Sequence, residues 1–198
     1  MNIEAFVVTL FPMAFLAVLF GGGELFRRRQ IDMDGDAPID KSVFYASKYL
    51  IVVVWMAMVL DSWGIDLSFP YNAPAPLKRA ALLIWAVGFA LLFIGRFGLG
   101  SSFRIGSPRE STELKVDGLF RFSRNPMYLG VYATVLASVL YTMNPLILIV
   151  GAFVVYVHHS IVLAEEEHLR GSFGTEYVEY CRRVRRYIGP IPCRGSPS

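Results

Sequence analysis

Cysteine and histidine are both scarce in this chain. Its 198 residues include two cysteines, Cys181 and Cys193, and three histidines, His158, His159 and His168. The two cysteines lie in a basic C-terminal segment, and their spacing does not match a metal-ligand pattern, so no metal site is expected. A structural disulfide is not expected there either if that segment faces the cytoplasm. The first apolar run has no basic stretch before it, so a cleavable signal peptide is not expected. No internal repeat or low-complexity segment stands out.

Apolar residues, by contrast, are abundant. They make up 55% of the chain, and the mean hydropathy is +0.48. A soluble domain of this size rarely carries so much apolar content. The net charge is +3, and the charged residues cluster in loops between apolar runs. The runs cover about 5–23, 43–60, 80–97, 127–142 and 145–163. Each is near the roughly 20 residues that cross a bilayer core. The pattern predicts an all-α, polytopic membrane helical bundle of about five transmembrane helices. Only Met143-Asn144-Pro145 separates the last two runs, which predicts a tight helical hairpin. The chain divides into an N-terminal set of three helices, 1–97, and a second half, 98–198, holding the candidate site.

The distribution of Lys and Arg sets the expected orientation. Arg27, Arg28, Arg29 and Lys41 follow the first run; Arg96, Arg104, Arg109, Lys115, Arg121 and Arg124 follow the third; Arg170, Arg182, Arg183, Arg185, Arg186 and Arg194 lie in the tail. The loop after the second run begins with Asp61 and Asp66 and carries Lys78 and Arg79 only at its far end. The N-terminus is therefore expected outside, with the C-terminal helical tail in the cytoplasm. Lys48 is expected to snorkel from the second run. From Ala164 the tail should continue the fifth helix, with Leu169, Phe173, Tyr177, Cys181 and Val184 on one face and a break at Gly174-Thr175.

Three stretches could carry chemistry. The first is Arg124-Asn125-Pro126-Met127-Tyr128-Leu129-Gly130. Proline suits the first turn of a helix and keeps the preceding residue out of the α region. Asn125 should thus sit at the lip of the fourth helix, beside backbone N–H groups suited to an anionic or polar ligand. The second is Glu165-Glu166-Glu167-His168 at a membrane exit, where successive residues point about 100° apart. One glutamate could face a cationic ligand while another meets the Arg cluster. His158 and His159 lie within two turns of the acids, and a transmembrane histidine is a functional suspect; packing against other helices is the reading preferred over metal binding. The third stretch runs from Tyr177 and Tyr180 to Arg182-Arg183-Val184-Arg185-Arg186-Tyr187-Ile188-Gly189-Pro190. It reads either as a polybasic lipid anchor or as a source of arginines for a carboxylate or phosphate.

Taken together, the three stretches resemble the isoprenylcysteine carboxyl methyltransferase family, over about residues 95–190. That family belongs to a wider group of integral-membrane methyltransferases that includes the phospholipid methyltransferases. The resemblance implies S-adenosylmethionine in a cytoplasm-facing pocket and a lipid or lipidated acceptor, either an isoprenylcysteine-like carboxylate or a phospholipid amine. By position it implies Arg124, Asn125, Pro126, Tyr128, Leu129, Glu165, Glu166 and Tyr177 as cofactor-binding residues, and Glu165, Arg183 and Arg186 as catalytic residues. Phe173 and Gly174 match its Phe-Gly pair. Asn125 stands where the family usually has histidine in an Arg-His-Pro-x-Tyr motif; asparagine keeps the hydrogen bonding but cannot hold a proton. Sterol reductases have a similar helix entry and use a nicotinamide cofactor, giving a competing NADPH-dependent enzyme class. A non-enzymatic scaffold with a lipid-binding tail is the third reading.

Overall fold

The computed structural model describes residues 2–28, 39–68, 70–99 and 114–188. These residues form five α-helices and one short 3-10 turn, with no strand among them. The helices are α1 (Ile3–Arg28), α2 (Lys41–Ser62), α3 (Ala75–Leu99), α4 (Pro126–Thr142) and α5 (Pro145–Arg183), and the 3-10 turn is Gly118–Arg121. The protein is an all-helical, integral membrane bundle. α2, α3 and α5 are long and apolar enough to cross a membrane, whereas α1 over 3–19 and α4 are shorter apolar helices.

Several boundaries differ from the sequence expectation. α1 does not close at its glycines but runs to Arg28. Asp61 belongs to the last turn of α2 and Lys78 and Arg79 to α3, so neither the acids nor the bases all sit in a loop. Asp61 is buried and pairs with Lys78 at 2.9 Å, a partner that makes its inclusion in the helix tolerable. Arg96 likewise lies inside α3 and is buried. Arg29, Arg104, Arg109, Cys193 and Arg194 fall outside the described residues.

The bundle closes around two devices. α3 and α4 cross glycine to glycine: a Cβ added to Gly88 would lie 2.7 Å from Thr134 Cγ2, and one added to Gly130 would lie 2.7 Å from the Gly88 carbonyl oxygen. Small residues at such a crossing let backbones approach closely where lipid offers no hydrophobic drive for association. Trp55, Trp85, Phe89 and Phe15 then fill the centre, with the Trp55–Phe89 ring centroids at 4.9 Å and the Trp85–Phe89 centroids at 4.8 Å. Trp55 Nε1 donates to Thr134 Oγ1 at 2.9 Å, which fixes α2 against α4 without an orphaned donor.

Helix lengths position the site. α4 has 17 residues and α5 has 39. At about 1.5 Å per residue α4 is shorter than the ~30 Å hydrocarbon core, while α5 is nearly twice that thickness. The start of α4 is therefore recessed toward the bilayer, and the second part of α5 leaves it. The expected hairpin is present: Met143 takes a left-handed conformation at φ 48°, and Asn144 caps α5 by accepting from Leu146 N at 2.8 Å. Gly174 breaks α5 as expected, with φ 52° and ψ −124°, and helix resumes on its far side. Beyond it, Tyr177, Tyr180, Cys181 and Val184 pack with Leu169, Phe173 and Leu114, so the apolar face of the tail folds back onto the chain.

Candidate active site

The approach to α4 is built from Ser123, Arg124 and Asn125. Pro126 occupies the first helical turn, and Asn125 stands before it at φ −131° and ψ 55°, outside the helical region. Its side chain does not cap its own helix. Instead Nδ2 donates to Glu166 Oε1 at 3.0 Å and to the Arg186 carbonyl at 3.3 Å.

Glu166 is the point at which three segments meet. It is 3% exposed and carries the carboxylate that anchors the site. Arg124 reaches it from Nη2 at 3.0 and 3.1 Å and from Nε at 3.2 Å, a forked contact that an ammonium cannot reproduce. Arg186 reaches Oε2 from Nε at 2.9 Å. This hydrogen bond holds the Arg186 guanidinium above its ordinary pKa. The remaining Arg124 donor, Nη1, goes to the Val184 carbonyl at 2.8 Å. Two guanidinium groups and an amide thus neutralise and fully engage one buried carboxylate, as burial of a charge demands.

Glu165 faces another way. Its Oε1 accepts from the Tyr128 hydroxyl at 2.9 Å. The Tyr128 ring lies 6.1 Å from that of His158, and it packs with Phe44, Val157 and Ile161. Lys48 Nζ sits 3.6 Å above the centre of the Phe44 ring, and Phe44 packs against Val157 and Ile161 of α5. α2 therefore supplies a wall of the site. The offset of about 100° between the neighbouring acids explains the division: His158 and Glu165 share one stripe of α5, and His159 and Glu166 share the next.

A strap formed by residues 184–188 lies across that second stripe. Arg124 N donates to the Arg185 carbonyl at 2.8 Å, and Ser123 Oγ donates to the Arg186 carbonyl at 3.1 Å. The Tyr187 hydroxyl lies 3.1 Å from that of Tyr132 and 2.9 Å from His159 Nδ1. Behind the strap, Tyr180 donates to the Phe120 carbonyl at 2.7 Å, and burial raises its phenol pKa.

Of the residues singled out in the sequence, Arg124, Asn125, Glu166 and Arg186 form one cluster, and Tyr128 and Glu165 a second beside it. Pro126 and Leu129 lie in the first turn of α4. Tyr177 is buried in the cluster of the tail rather than beside Glu165. Arg183 is exposed on the last turn of α5. Ser123, Phe44 and Tyr132 were not singled out, Lys48 was expected only to snorkel, and Tyr187 stood in the third stretch without a role of its own. Only Tyr132 had a signal, its spacing of four from Tyr128 on one helix face. Among the described residues no group of three or more His, Cys, Asp or Glu side chains could hold a metal ion.

Residues 77–176 match the family model described as phospholipid methyltransferase. That stretch spans half of the chain and contains α4, both glutamates and Gly174. The chain belongs to the phospholipid methyltransferase family. It is also 29% identical over 137 residues to a protein-S-isoprenylcysteine O-methyltransferase of Saccharomyces cerevisiae, covering 64% of this chain and 57% of that one. A rat protein of the same name is 27% identical over 199 residues, covering 86% of this chain and 70% of the relative. Methanethiol S-methyltransferase 1 of Bradyrhizobium diazoefficiens is 28% identical over 159 residues, covering 76% and 55%. The chain thus spans little more than half the length of the yeast and bacterial relatives. No solved structure matches it.

Proposed function

We propose that the protein is an integral-membrane, S-adenosylmethionine-dependent methyltransferase acting on a lipid or lipidated acceptor, with its site at the cytoplasmic face. The observation that carries this reading is the convergence of α4's entry and α5's exit. Residues 124–128 and 165–166 are about forty positions apart, yet they share hydrogen bonds at 2.9–3.2 Å in a family of methyltransferases.

The residues fit a sulfonium nucleotide. Glu165 is held by a single hydroxyl and keeps acceptor capacity for an ammonium or a ribose. The Tyr128 ring offers a π face to a cation. The uncapped start of α4 presents backbone N–H groups to a carboxylate. When bound, the cofactor supplies an electrophilic methyl group. The protein's task is alignment and exclusion of water, since displacement at that carbon depends on geometry more than on acid catalysis. In this reading Glu165 and Tyr128 bind, whereas Glu166, Arg124, Asn125 and Arg186 build the wall that orients them. Arg183 is left without a role in the site. A hydrophobic acceptor enters from the bilayer and the cofactor from water, which is why the site belongs at their boundary.

The test is calorimetric binding of S-adenosylmethionine and S-adenosylhomocysteine to the full chain in detergent, for wild type, Tyr128→Phe and Glu165→Gln. Micromolar binding that both changes weaken supports the reading. A wild type that binds neither compound sinks it.

A further inference from the structure

Tyr132, Tyr187 and His159 join in a hydrogen-bonded group that cofactor binding does not require. The Tyr187 hydroxyl stands between the other two, 3.1 Å from Tyr132 and 2.9 Å from His159 Nδ1. Each side chain comes from a different segment: α4, α5 and the strap. The group sits on the lipid side of the α4–α5 groove. Leu136, one turn beyond Tyr132, is exposed, and so are Tyr156 and Leu163, which share the His159 face of α5. A polar hydroxyl–imidazole group on an otherwise apolar, lipid-facing surface is costly unless it serves a purpose. Glu165 and Tyr128 lie on its inner side, Glu166 and Arg186 toward the water, and His158 and Lys48 on the far side of α5 toward α2.

We propose that this group is the acceptor end of the site, and that His159, acting through Tyr187, takes a proton from the acceptor. The inference rests on the methyltransferase reading and narrows it. The acceptor is an apolar molecule whose reacting atom bears a hydrogen, a thiol or an amine, rather than a carboxylate. Tyr187 donates to His159 Nδ1, and its oxygen then has lone pairs for Tyr132 and for the acceptor. As the nucleophile bonds to the methyl carbon of a sulfonium donor, the carbon–sulfur bond breaks and its electron pair stays on sulfur as a neutral thioether. The acceptor proton passes to the Tyr187 oxygen, and the Tyr187 proton passes to His159, leaving an imidazolium. A carboxylate acceptor has no proton to lose and no use for this pair.

The experiment uses the full chain in nanodiscs with S-adenosylmethionine and three probes of equal chain length: decanethiol, decylamine and decanoate. Wild type should methylate the thiol or the amine faster than decanoate. Tyr187→Phe and His159→Gln should slow the protic probe by about a hundredfold, the scale of general-base catalysis, with S-adenosylhomocysteine affinity within about twofold of wild type, roughly 0.4 kcal/mol. Nitrogen-15 NMR of the labelled imidazole should find Nδ1 unprotonated and shifted by Tyr187→Phe, a readout independent of turnover. Preference for decanoate, an equal loss on all three probes, or a protonated Nδ1 overturns the proposal while leaving the methyltransferase reading intact. Absence of S-adenosylhomocysteine binding by wild type overturns both.

Discussion

Arg124 and Glu166 form a buried two-nitrogen ion pair, 3.0 Å at its closest, with both side chains 3–4% exposed and 42 positions apart in the chain. This contact ties the recessed start of α4 to the exit of α5, and the strap is hung on the same guanidinium. Removing Arg124 leaves a buried carboxylate with the Asn125 amide and one partly exposed cation, Arg186. Arg124→Ala should lower stability by about 3–5 kcal/mol, read as a drop in thermal midpoint in detergent. Arg124→Lys should recover little of it, because an ammonium cannot fork across both oxygens.

Arg186 and Arg183 should behave differently although they stand three residues apart. The Arg186 side chain is 37% exposed where it meets Glu166, so water screens the pair and the loss in Arg186→Ala should be about 1 kcal/mol. Loosening the strap should speed chymotryptic cleavage at Tyr187. Arg183→Ala should change neither stability nor cleavage.

Gly88→Ala tests the crossing of α3 and α4. A methyl group there would lie 3.0 Å from the Gly130 carbonyl and closer still to Thr134, and separating the helices should cost about 1–3 kcal/mol. Gly171→Ala is the control. Nothing lies within 4 Å of the added carbon, and alanine suits a helix better, so the thermal midpoint should hold or rise.

Tyr128→Phe keeps the ring and removes the donor to Glu165. S-adenosylhomocysteine affinity should fall about tenfold, near 1.4 kcal/mol, with the thermal midpoint nearly unchanged. A large loss of stability with unaltered affinity would make Tyr128 a structural residue.

The bundle was legible because apolar runs of membrane length and a proline at a helix start are local signals. Asn125-Pro126 and Asn144-Pro145 both open helices where the sequence placed them. The division of labour between Glu165 and Glu166 was legible only as an angle. Which of them meets Arg124 depends on how α5 is rotated against α4, where Gly151 of α5 packs against Val135 and Val139. Lys48 looked like a snorkelling residue because its own helix shows Phe44 one turn earlier but not that Phe44 packs against Val157 and Ile161 of α5. Tyr187 was hidden within an arginine run. The strap has no periodicity, and its docking is fixed by Ser123 and Arg124 some sixty positions earlier.

That docking also dictates an order of assembly. Arg124, Asn125 and Ser123 are synthesised some sixty residues before the carbonyls they serve, at 184–186. All five helices can be inserted while Glu166 still lacks one of its cations. Translation beyond α5 supplies Arg186 and the main-chain acceptors, so a nascent protein truncated at the end of α5 carries all five described helices and an unfinished cleft.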